Sequence, residues 1–449
     1  MTSAQERFFE SGRRLWWDHF VLDLRFGLRM LAKNPGFTAG AVFTLAIGIG
    51  ANTAIFSLID TIMLKTLPVQ KPEELLQVQF RTPRRADEPR NSFTNPLWEQ
   101  LRDRQDVFAG IFAWGADRFD LAQGGAVNYA QGIRVSGEFF RVLGLRPAAG
   151  RLIAPSDDQR GCLGVAVLSY GFWQDHDGGA PSGIGSNLVL NAHPFEVVGV
   201  APPGFYGTDV GSRFDVAIPI CTAAIFDGKE SRIDSRAWWW LHVVGRVKPG
   251  VSRVQLATRL RAISLSAFTA AVPQNWSPKG QRDFEKSTFV VAPAATGLSP
   301  LGLRQQFDQP LNVLMAVVGM VLLIACANIA SLMLARAAVR QRELAVRQAL
   351  GASRLRLILQ LLTECILLSS AGALLGILFA RWGATLLVRY LSTARNVVFL
   401  DLSLDSRVLG FTAAMALLTG LLFGVLPAFR STRVSLTSAI KIGARRSDC

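Results

Sequence analysis

Apolar and polar positions vary along this 449-residue chain on two scales. Long apolar runs lie at residues 37–64, 311–335, 357–390 and 408–427, while shorter patterning fills residues 65–310. Each run holds about 20 or more largely uncharged residues, enough to cross a hydrocarbon core of roughly 30 Å. An unpaired backbone N–H or C=O in lipid costs several kcal/mol, so each run is expected to be a helix. The order predicts a membrane protein: a four-helix α-helical transmembrane domain with a large α+β extracytoplasmic domain inserted between spans 1 and 2.

Residues 1–36 are expected to form a cytoplasmic amphipathic segment. Phe20, Leu24, Leu28 and Leu31 repeat at helical spacing, with Arg25, Arg29 and Lys33 on another face and Trp16 and Trp17 as interfacial anchors. The basic lead to the first run is too long for a signal peptide, and no small-x-small cleavage site follows it, so the run reads as an anchor. Within residues 65–310, strands are predicted at Leu75–Phe80, Tyr129–Val135, Val165–Leu168, Asn187–Leu190, Phe195–Val200 and Phe214–Ile220, and a further one ending at Val247. Asn191-Ala192-His193 reads as a hairpin turn. Helices are predicted over Pro96–Phe108, from near Ser136, and over Ser252–Phe268, so two small lobes are expected.

Residues 336–356, RAAVRQRELAVRQALGASRLR, separate the second and third runs. At 100° per residue Val339, Val346 and Leu350 share a stripe flanked by Ala335, Ala338 and Ala349, while Arg336, Arg340, Glu343 and Arg347 fall on a neighbouring stripe, Glu343 and Arg347 at the favourable i,i+4 spacing. Gly351 suits a helix stop and Ser353 an N-cap. The pattern fits either a loop held at the headgroups by its arginines or a helix presented to a cytosolic partner. Residues 391–407 form a short far-side loop and 428–449 a basic tail.

The charge balance fits this arrangement. The net charge is +15, but residues 65–310 carry 27 basic and 23 acidic side chains, a net of only +4. Residues 1–36, 335–357 and 428–449 carry +2, +5 and +4, each beside an apolar run. This is the positive-inside pattern, placing both ends and the hinge in the cytoplasm, and not the continuous basic stripe of a nucleic-acid binder. Of the five cysteines, Cys326 and Cys365 lie in spans. Only Cys162 and Cys221 would share an oxidising compartment, and free thiols are expected there in preference to a bond.

Candidate chemistry is sparse. The chain contains no G-x-x-x-x-G-K-[ST], no zinc-spaced pair among His19, His176, His193 and His242, and no G-x-S-x-G, so no metal, cofactor or catalytic residue is expected. Gly372 with Gly376, and Gly420 with Gly424, make G-x-x-x-G pairs suited to close helix packing, within one chain or between two. Glu364 is expected to face other helices in a structural role, and Asp60 to reach headgroup water. Of Trp238, Trp239 and Trp240, part is expected in the core and part at the surface.

The segment RQRELAVRQALGASRLRLILQLLTE resembles the hinge of FtsX-like permeases, the membrane subunits of MacB-type ABC transporters. VSGEFFRVLGLRPAAGR, VAVLSYGFWQ, EVVGVAPPGFYG and WWWLHVVGRVKPGVSRVQLATRL resemble the MacB-type periplasmic core domain in the usual order. The resemblance implies that Glu343, Leu344, Ala345, Arg347, Ala349, Leu350, Gly351 and Ala352 form a coupling helix docked on a cytosolic ABC ATPase subunit. It implies an inner-membrane permease that passes ATPase-driven motion to its periplasmic domain for export, with ATP hydrolysis in a separate subunit. A non-transporting scaffold that activates a periplasmic partner is the alternative. Membrane lipids and a periplasmic adaptor or substrate protein are the further implied partners. Because the sequence resembles one half of a duplicated permease, three states are open: a homodimer, a pair with a second half, or an inactive truncated remnant.

Overall fold

The computed structural model describes residues 24–25, 27–122, 128–228, 231–299, 302–339, 354–391, 399 and 405–431. It contains two compact units: residues 64–303, and the helical segments on either side of them in the chain.

Residues 64–303 are built on one sheet of eleven described strands. These are β1 (Leu75–Thr82), β2 (Arg85–Arg90), β3 (Phe108–Asp120), β4 (Tyr129–Val135), β5 (Ala149–Gly150), β6 (Val165–Leu168), β7 (Asn187–Leu190), β8 (His193–Val200), β9 (Val216–Pro219), β10 (His242–Val247) and β11 (Thr288–Pro293). Their order is β11-β1-β10-β3-β4-β9-β6-β8-β5, with β2 on β1 and β7 on β8. The two expected lobes therefore share a sheet. β3 joins the halves, since its first part pairs with β10 and its second with β4, both meeting at Trp114.

This strand corrects the sequence reading. The helix expected over Pro96–Phe108 covers Asn95–Arg104, and Phe108 opens β3 instead. Ile111–Gly115 are buried on both faces of the strand, which erases the alternation that marks a half-exposed strand. Elsewhere local signals settle the local structure. Thr94, Ser169, Ser252 and Ser277 each accept a backbone N–H in the first turn of the helix that follows. Ser252 and Gln255 form a reciprocal capping box on Arg253–Ala270. Asn191 and Ala192 both take positive φ between Leu190 and His193, the geometry of a tight hairpin turn.

Aromatic side chains fill the interior. Phe80, Phe93, Trp98, Phe268, Phe284 and Phe289 cluster beneath the β1–β10 half, and Phe112, Trp114, Phe139 and Phe140 beside the middle of the sheet. Of the tryptophan triplet, Trp239 and Trp240 pack against the first cluster and Trp238 is exposed. Arg134 is buried between Phe119 and Phe226, where it donates to Asp117 at 2.7 Å and Thr222 at 3.2 Å.

Cys162 and Cys221 form a disulfide, which overturns the expectation of two free thiols. Their separation of 59 residues says nothing about distance; the sheet brings the segment after Asp158 beside the end of β9. The Asp158 carboxylate accepts from the backbone N–H of Cys221 at 2.9 Å and of Gly137 at 3.1 Å. Burial nonetheless pushes its pKa up to about 6.

Two predictions follow from this corner. Non-reducing peptide mapping should recover a Cys162–Cys221 linked peptide, and replacing both residues by Ala should lower unfolding stability by about 2–5 kcal/mol. Asp158 has a folded pKa raised above that of the unfolded chain, so its stabilising contribution is complete below about pH 4 and is lost as pH rises through about 6. Asp158→Asn should flatten the fall of stability over that window; an unchanged slope in pH-dependent denaturation would refute the assignment.

Candidate functional site in the span bundle

Four described helices are long and apolar enough to cross a membrane, at Pro35–Leu64, Leu303–Arg336, Ile358–Leu386 and Ser406–Gly424. The first ends in a π-helical turn, Asp60–Leu64. The second begins at Leu303 and stays helical through Pro310.

Small residues set how the helices meet. A Cβ on Gly50 would lie 2.7 Å from the carbonyl oxygen of Gly376, and one on Gly376 would lie 3.0 Å from the Gly50 nitrogen. First and third spans thus touch backbone to backbone, and Gly372 lies against Leu45 one turn away. Gly420 and Gly424 face Ser369 and Cys365 of the third span in the same manner. Both glycine pairs therefore mediate contacts within one chain. Such surfaces supply close van der Waals contact where lipid removes the usual hydrophobic drive between helices.

Polar groups in the bundle are paired across it. Asn52 donates to the carbonyl of Gly48 at 2.9 Å and reaches that of Val318 at 3.4 Å, linking first and second spans. Thr53 and Thr412 hydroxyls lie 3.1 Å apart, linking first and fourth. Asp60 is buried and does not reach the headgroup water expected for it; Arg407 stands 3.7 Å away. At the same end Arg304 donates to the carbonyl of Ile62 at 2.9 Å.

The opposite end is organised by the basic segments. The Arg336 guanidinium sits 3.8 Å from the Phe37 ring centroid, joining the start of the hinge to the start of the first span. Residues 24–25 and 27–32 are helical. Gly27 packs on Leu367 near the buried Glu364, and Leu31 packs against the bundle core, so this segment contributes to helix packing. The docking residues Glu343, Leu344, Ala345, Arg347, Ala349, Leu350, Gly351 and Ala352 lie outside the described residues. Sequence reasoning missed Gly50, Asn52 as a cross-link, and Thr53–Thr412. An isolated small or hydroxylic residue in a span has no pattern that names its partner.

The MacB-like periplasmic core domain family matches residues 38–263, and the FtsX-like permease C-terminal family matches residues 315–436. The chain belongs to the MacB/FtsX-type ABC permease family. Membership and the four apolar helices make it a multi-pass inner-membrane protein. Among curated relatives, the pyoverdine export ATP-binding/permease protein PvdT of Pseudomonas syringae pv. tomato is 27% identical over 299 residues, covering 65% of this chain and 40% of the relative. The macrolide export ATP-binding/permease protein MacB of Campylobacter jejuni is 24% identical over 316 residues, covering 69% of this chain and 44% of the relative. The chain thus spans about two fifths of the length of these relatives. The periplasmic region of MacB from Actinobacillus actinomycetemcomitans aligns at a TM-score of 0.35 and 15% identity, over 54% of this chain and 94% of that one.

The permease's glycine crossing is directly testable. Gly50→Ala should lower bundle stability by about 1–3 kcal/mol, because the added methyl meets a backbone atom that cannot move aside. Gly319→Ala, where a Cβ meets nothing within 4 Å, should change it by less than about 0.5 kcal/mol. Denaturant titration in mixed micelles would measure both, and equal effects would remove the crossing from its central place.

Proposed function

We propose that this chain is the permease part of an ABC export machine, and that a cytosolic ATPase in a separate subunit drives it through residues 336–356. The backbone contact of Gly50 with Gly376 carries the reading. A force applied to the hinge acts on the third span, and a helix in van der Waals register with a neighbour passes on displacement with little slack. The first span would follow, and its far end leads directly into residues 64–303. The extracytoplasmic domain would then push or release a substrate or an adaptor protein. Names of the relatives, which join export to ATP binding, support the class of machine.

In this account Glu343 and Arg347 orient the coupling helix and Leu350 fills a pocket on the ATPase. The flanking positive charge favours a cytoplasmic hinge and cytoplasmic termini. Two copies, or this chain and a second permease half, would receive the two nucleotide-binding subunits.

Purification in mild detergent should bring down an ABC ATPase, identified by mass spectrometry. Leu350→Asp should reduce its recovery at least tenfold and uncouple ATP hydrolysis from transport while membrane insertion is unchanged. Undiminished recovery and coupling in the variant would contradict docking at this segment.

A further inference from the structure

A cavity of about 590 Å³ opens between the β1–β2 hairpin and the helix Pro278–Glu285. That volume lies in the range of small-molecule sites, roughly 300–1,000 Å³. Its walls are of two kinds. Trp276 and Phe284 give an apolar side, while Arg84, Arg85 and Arg90 face a single lining carboxylate, Asp283.

The three guanidiniums are not equivalent. Arg84 is paired, its Nε 2.6 Å from Asp283. Among the described residues, neither Arg85 nor Arg90 has a carboxylate within ion-pair distance. Arg90 is half-buried, with its guanidinium 4.9 Å from the Trp239 ring centroid and 6.0 Å from that of Phe80. Stacking on an aromatic face uses the flat of a guanidinium and leaves its in-plane N–H fork able to grip a carboxylate or phosphate. Burial, with Arg85 nearby, holds Arg90 below its usual pKa, the mark of positive charge lacking a counter-ion.

A basic hairpin tip in free solvent would account for the exposed Arg84 and Arg85. It does not account for Arg90, which is held against two aromatic rings inside the cavity beside a like charge. An anion would relieve that repulsion.

We infer that this cavity binds an amphiphilic anion, a phosphate or carboxylate head held by Arg85 and Arg90 with an apolar body laid against Trp276 and Phe284. Such a molecule could be a membrane lipid or a soluble amphiphile of the same compartment. The inference rests on the cavity alone and is independent of the ATPase docking proposed above.

The test uses the full chain, labelled with 5-fluorotryptophan, in nanodiscs of zwitterionic lipid, with the Trp276 resonance assigned from Trp276→Phe. Octyl phosphate should shift that resonance saturably, with 1-octanol and inorganic phosphate each at least tenfold weaker. Arg85→Gln, at an exposed position, should weaken octyl phosphate several-fold, and Arg85→Gln with Arg90→Gln at least tenfold. If nanodiscs of phosphatidylglycerol alone shift the resonance and block octyl phosphate, the occupant is a membrane lipid; if they do not, it is a soluble amphiphile. Octanol binding as tightly as octyl phosphate, undiminished affinity in both variants, or the lack of any saturable shift would each overturn the inference.

Discussion

Close approach of the first and third spans at Gly50 and Gly376 is the contact on which the bundle depends. In lipid, apolar side chains gain nothing by leaving solvent for a neighbouring helix, so association rests on contact area and on hydrogen bonds that have no water to compete with them. Glycine supplies the first by letting two backbones meet. Asn52 and the Thr53–Thr412 pair supply the second, tying the first span to the second and fourth. The first span is thereby the hub of the helical unit, and it is also the span that leads into residues 64–303.

Residues 64–303 solve a different problem, since water lies outside them and a hydrophobic core can form. One long strand, β3, carries both halves of the sheet, and clusters of phenylalanine and tryptophan cover it. Two buried polar groups are closely matched: Arg134 has Asp117, Thr222 and two aromatic faces, and Asp158 has two backbone donors. The Cys162–Cys221 bond closes a loop beside that carboxylate. In the Arg90 cavity, among the described residues, two of three guanidiniums have no carboxylate within ion-pair distance.

Much of the fold was legible where the signal is local. The spans were readable because lipid imposes about twenty uninterrupted apolar residues. The Asn191-Ala192-His193 turn was readable from spacing between two strand-like runs. β3 was not, because a strand buried on both faces loses its alternation. The disulfide was not, because 59 intervening residues leave the distance between two sulfurs open. The glycine pairs were visible as pairs, but their partners, Leu45 and Gly50 on one side and Ser369 and Cys365 on the other, were not.

By itself the sequence determined the number and order of the spans, the mixed character of the segment between them, and the family to which the chain belongs. The spans and the mixed segment follow from residue type at fixed spacing along one element, and the family from the likeness of whole motifs to known members. Only the tertiary structure decided which helices touch at the glycines, that Asp60 is buried beside Arg407, that Cys162 meets Cys221, and that Arg85 and Arg90 line one cavity with Trp276. Each of those is a distance between residues far apart in the chain, and such distances are set by how the elements pack.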